Sequence, residues 1–134
     1  MLSHETPSRY PHQTEAVEAV LGTLQNHDRT HLVMACGTGK TRVALWVAEA
    51  LHPKRVVVFV PSLALISQFI KEWRRVTVWE AIAYLAICSD ETVRHAMDDQ
   101  VVLDPTACDF PVTTDPAVVE QFLKQPSRGA QLVY

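Results

Sequence analysis

The chain has 134 residues, 48% of them hydrophobic, which suits one domain with a substantial buried core. Its net charge of −3 gives no global pull toward nucleic acid, yet residues 1–75 carry nine Lys or Arg against six Asp or Glu, and residues 76–134 carry three against nine. No window approaches the roughly 18 apolar residues needed to cross a bilayer and the N-terminus has no secretion leader, so a cytoplasmic protein with no membrane partner is expected.

Pro11 opens a segment in which Ala16, Val17, Val20, Leu21 and Leu24 recur at helical spacing, so a helix is expected from Pro11 to Gln25. HLVMAC, residues 31–36, is an apolar run read as a buried strand, and TRVALWVAEALH after it returns to helical spacing. KRVVVFV, closed by Pro61, has the β-branched character of a parallel strand covered on both faces. SLALISQFIKEWRRV follows as a helix with Leu65, Ile66, Phe69, Ile70 and Trp73 on one side, and AIAYLAIC is a third strand. From Asp90 to Val112 the sequence is acidic and broken by prolines, and it reads as loop with at most one short strand. Thr114, Asp115 and Pro116 open a helix to Lys124, and GAQLVY is a last strand. This alternation predicts an α/β domain with a mostly parallel sheet. The cysteines Cys36, Cys88 and Cys108 form no CxxC pair, which argues against a zinc site or a disulfide framework. Trp46, Trp73 and Trp79 are assigned to core or helix faces.

The chemistry concentrates at ACGTGKT. Gly37 and Gly39 allow the positive φ that turns successive N–H groups inward on an anion, and the helix starting at Lys40 adds its positive end. Lys40 supplies a mobile charge for β- and γ-phosphates and the Thr41 hydroxyl a ligand for Mg²⁺. The expected nucleotide cradle is therefore Ala35, Cys36, Gly37, Thr38, Gly39, Lys40 and Thr41. Met34 stands where the phosphate-loop pattern has its first glycine. Cys36 is expected to be a small buried side chain within the loop.

Three further stretches stand in order around that loop: YPHQTEA at 10–16, PSLALISQ at 61–68 and VTTDPAVV at 112–119. With ACGTGKT they resemble the superfamily 2 helicases and translocases, in the DEAD/DEAH-box-like branch that includes the helicase subunits of type I and type III restriction enzymes. The resemblance implies a RecA-like P-loop NTPase sandwich of three layers, with residues 1–134 the N-terminal portion of its first domain. It implies ATP and Mg²⁺ as cofactors and a nucleic acid as partner, DNA ahead of RNA. Gln13 would meet the adenine edge, although Tyr10 occupies the family's arginine position with Arg9 beside it, and His12 replaces an aromatic residue. Ser62, Gln68, Thr113 and Thr114 would touch the nucleic-acid backbone, with Lys71, Arg74 and Arg75 as further candidates. Leu63 stands where relatives often carry arginine. Thr114 or Asp115 serves equally as the cap of the helix that Pro116 starts.

Hydrolysis also requires an acidic Mg²⁺ ligand, a carboxylate that orients water and a cationic group at the γ-phosphate. The sole Asp-Glu pair, Asp90-Glu91, does not complete the D-E-x-H or D-E-x-D element of the resembling family and reads as loop. The expectation is thus an ATP-binding piece of a motor domain, truncated ahead of its acidic motif and inactive by itself. Two alternatives stand beside it: a complete small P-loop kinase with Asp90 as magnesium ligand, and a non-catalytic binding or assembly module.

Overall fold

Pro11 fixes the first turn of α1, Pro11–Leu24, and Gln13 at its third position accepts the Tyr10 N–H through Oε1 at 3.1 Å, satisfying a donor that the helix itself leaves open. Helix α2, Lys40–Leu51, starts from Gly39 in the left-handed region and stops at His52, also left-handed (φ 49°), ahead of Pro53. The remaining elements are β1 (Arg55–Val57), α3 (Leu63–Val76), β2 (Ile82–Ile87), β3 (Val112–Thr113), α4 (Pro116–Lys124) and β4 (Ala130–Val133). These come from a computed structural model that describes residues 8–80, 82–88, 112–126 and 130–133. Asp90-Glu91, most of the expected acidic loop and Cys108 lie outside the described residues.

The chain divides into two compact units, Met1–His52 with Lys71–Val78, and Pro53–Ile70 with Trp79–Tyr134. In the first, Ala16 and Val17 of α1 meet Val43 and Trp46 of α2, with Leu21, Met34 and Val47 packed around them. Helix α2 is buried on a second side through Leu45 and Glu49. Glu49, 8% exposed, accepts from the Thr77 hydroxyl at 2.8 Å and the Val78 N–H at 2.9 Å, so its buried carboxylate is doubly satisfied. Val43, Leu45 and Trp73 are the largest fully buried side chains, each contributing about 1.5–3 kcal/mol by leaving water.

Among the described residues the second unit holds a four-stranded sheet in the order β1-β4-β2-β3, with each described pairing parallel. Leu85, Ala86 and Val133 of its strands are buried, as are Ile66 and Ile70 of α3. Gln131 in β4 is only 2% exposed. Its Oε1 accepts from Arg55 Nε at 2.9 Å, and its Nε2 donates to the carbonyls of Phe122 at 3.1 Å and Gln125 at 3.2 Å. Arg55 also donates to the Leu123 carbonyl. Two polar side chains of paired strands thus close the last turn of α4, whose carbonyls have no helical partners.

Two strand expectations need correction. Residues 31–35 join no strand pairing among the described residues, and Val33 is 93% exposed instead of buried. An apolar run becomes a strand only when neighbours supply its ladder, and among the described residues this run takes part in no strand pairing within its own unit. Strand β1 was expected to be covered on both faces. It lies at one edge of the described strands with Val57 exposed, and Phe59 just beyond it is 93% exposed. No described helix is long and apolar enough to cross a membrane.

Candidate functional site

Gly37 (φ 77°) and Gly39 (φ 86°) are both left-handed, which wraps residues 36–39 into a turn ahead of α2. Among the described residues, no N–H from Gly37 to Thr41 donates to a backbone carbonyl, whereas the Gly39 carbonyl already accepts from Arg42 and Val43 at 3.0 and 3.1 Å. The turn therefore presents open donors at a helix start, the arrangement that suits a phosphate chain. The Lys40 side chain is exposed, and its ammonium donates to the carbonyls of Met34 at 3.2 Å and Ala35 at 2.9 Å. The Thr38 hydroxyl donates to the same Ala35 carbonyl at 2.7 Å. Cationic head, open amides and the Thr41 hydroxyl match the phosphate donors and the hydroxyl ligand of a magnesium-bound triphosphate, so the residues present fit that part of the group's needs, an acidic ligand aside.

Helix α1 holds the turn from one side. Gln13, 4% exposed, donates through Nε2 to the Thr38 carbonyl at 3.0 Å, and His12 Nε2 lies 3.2 Å from the same oxygen. A trans peptide points its C=O and the next N–H in opposite directions. Holding the Thr38 carbonyl toward α1 thus aims the Gly39 N–H away from it. The Tyr10 and His12 rings stack with centroids 5.8 Å apart, and the Arg9 guanidinium sits 4.7 Å from the Trp46 ring centre, so the residues leading into α1 are anchored on the same unit. A cavity of about 360 Å³ opens beside the turn between His12, Glu15 and Ala16 of α1 and Leu32, Met34 and Thr38, a size within the range of small-molecule sites.

Cys36 is exposed, which corrects the expectation that it is buried; it sits in the turn between Ala35 and Gly37, which are exposed as well. Trp73 was assigned to packing alone, yet its indole N–H donates to the Thr41 carbonyl at 2.9 Å while Arg42 pairs with Glu72. One signal for this was available in the sequence: a buried indole must find an acceptor.

Ser62, Gln68, Thr113 and Thr114 fall in the second unit. Ser62 starts α3, where its hydroxyl accepts the Leu65 N–H at 3.3 Å and keeps its own proton to donate. Gln68 is exposed nearly two turns on. Thr113 ends β3 and accepts the Asp115 N–H at 3.0 Å, while Asp115 caps α4 by accepting Ala117 N–H at 2.8 Å. The cap is Asp115, so Thr114 remains exposed. Because β1 and β3 are parallel members of one sheet, Ser62 and the two threonines follow strands at the same carboxyl edge, where open α/β sheets place ligands. Lys71, Arg74 and Arg75 are exposed on α3, with Arg75 4.0 Å from Glu72.

A family model described as "Type III restriction enzyme, res subunit" matches residues 7–114. Two solved structures are similar. A nuclease-deletion mutant of the Type ISP restriction-modification enzyme LlaGI in complex with a DNA substrate mimic is 27% identical with a TM-score of 0.73, over 94% of this chain and 12% of that one. The ATP-dependent Type ISP restriction-modification enzyme LlaBIII bound to DNA is 26% identical with a TM-score of 0.78, over 97% of this chain and 8% of that one. No curated protein matches.

Proposed function

The chain belongs to the family of the type III restriction enzyme res subunit, and on that premise we propose that it forms the nucleotide-binding part of an ATP-dependent helicase or translocase acting on DNA. The observation that carries the reading is the turn at Gly37–Thr41, with two left-handed glycines, open backbone donors and an exposed lysine at a helix start.

In this reading the amides of Gly37 to Thr41 and the Lys40 ammonium bind the phosphates, and the Thr41 hydroxyl holds Mg²⁺. Gln13 and His12 orient the Thr38–Gly39 peptide, and the cavity beside them is the place for the base. When bound, Mg²⁺ neutralises charge on the β- and γ-phosphates. Lys40 leaves the Met34 and Ala35 carbonyls for the phosphate oxygens, an exchange of neutral acceptors for anionic ones that strengthens each hydrogen bond. Ser62, Gln68, Thr113 and Thr114 contact a strand backbone, which positions DNA without reading its sequence. The LlaGI and LlaBIII structures support DNA as the partner, and the chain spans a small share of each. Movement along DNA is accordingly proposed for a larger assembly of which this domain forms part.

The test is nucleotide binding with and without Lys40→Ala, alongside phosphate release. Mg²⁺-ATP binding by the chain is expected to fall by at least tenfold in the variant, with turnover near background in both. Equal binding by the two proteins would refute the reading.

A further inference from the structure

We propose that Trp73 is a positioning residue for the Mg²⁺-holding threonine, setting the geometry of Thr41 through its backbone. The inference rests on the nucleotide reading above. Helix α2 has no side-chain cap of its own, because its N-cap is Gly39. Its first turn is held from outside: the Trp73 indole N–H donates to the Thr41 carbonyl at 2.9 Å, and the next residue, Arg42, donates to Glu72, the neighbour of Trp73. Two consecutive residues at the start of α2 are thus gripped by two consecutive residues of α3.

Trp73 is 2% exposed and among the largest fully buried side chains, so the indole has a fixed seat. A rigid ring with two torsions holds a hydrogen-bond direction at small entropic cost. Helix-forming residues elsewhere in α2 tolerate small shifts, but a Mg²⁺ ligand does not, since Mg²⁺ demands near-ideal octahedral geometry at about 2.0–2.1 Å. Loss of the indole donor should therefore be felt as a loss of the affinity that Mg²⁺ adds to ATP, more than as a loss of ATP binding itself.

Equilibrium dialysis with labelled ATP, in Mg²⁺ and in EDTA, measures both. The variants are Trp73→Phe and a chain carrying benzothienylalanine at position 73, which keeps the shape of tryptophan and lacks the N–H. The isostere is expected to weaken Mg²⁺-ATP binding about fivefold, the scale of one lost hydrogen bond, and to change ATP binding in EDTA by less than about twofold, with a cooperative melting transition retained and lowered by several degrees. In a Thr41→Ala background the isostere should have no further effect. Lys40-dependent ATP binding with the full Mg²⁺ increment retained by the isostere overturns this inference alone, as does an equal loss in Mg²⁺ and EDTA. ATP binding that ignores Lys40→Ala removes the nucleotide reading and this inference with it.

Discussion

Gly37 and Gly39 share a left-handed backbone but not their surroundings. A methyl group at Gly37 would meet nothing within 4 Å, whereas one at Gly39 would lie 2.4 Å from Gln13 Nε2. Both alanine variants carry the backbone strain of positive φ, about 1–2 kcal/mol; Gly39→Ala must also displace the buried amide that holds the Thr38 carbonyl. Urea denaturation is therefore expected to place Gly39→Ala at least about 1 kcal/mol below Gly37→Ala. In a Gln13→Ala background the two should fall within about 0.5 kcal/mol of each other. An unchanged gap in that background would assign the difference to something other than Gln13. At this scale the sequence was informative, because ACGTGKT names its chemistry by residue type. It could not show that His12 and Gln13 converge on one oxygen, since that contact spans about 25 positions of chain.

Among the elements, α4 shows how a local signal is decided by backbone geometry. Thr114, Asp115 and Pro116 compete on paper for the start of the helix; in the fold Asp115 is extended and accepts the Ala117 N–H, while Thr114 stands outside. Asp115→Ala should cost about 1 kcal/mol in thermal or chemical unfolding and Thr114→Ala less than about 0.5. The reverse ranking would move the cap. The other end of α4 depends on Gln131, a residue that β4 buries, and Gln131→Leu leaves Arg55 and two carbonyls without that partner. A loss of about 2–4 kcal/mol is expected, with faster amide exchange in residues 120–125 as its local signature. Helix positions were readable to within about two residues because apolar spacing, Pro11 and Pro116 mark them directly. The apolar run at 31–36 misled because its pattern states a preference for burial without naming a neighbour.

The molecule as a whole divides its proposed tasks between units: the phosphate turn belongs to one, and Ser62, Gln68, Thr113 and Thr114 to the other. Hydrogen exchange should separate them. Mg²⁺-ATP is expected to protect residues 36–43 and 10–14, and a DNA oligonucleotide to protect residues 62–68 and 112–116. Protection of the phosphate turn by DNA alone would contradict that division. Ligand at ten times its Kd should raise stability by about 1.4 kcal/mol. The α/β architecture was legible from alternating patterns, but strand order was not, since parallel neighbours are set by packing between distant segments. Val33 and Phe59 each stand 93% bare. Oily tips of that kind are expected to favour self-association as the chain is concentrated, so replacing Val33 by lysine should keep a stored sample clear for longer than the parent, as light scattering would read.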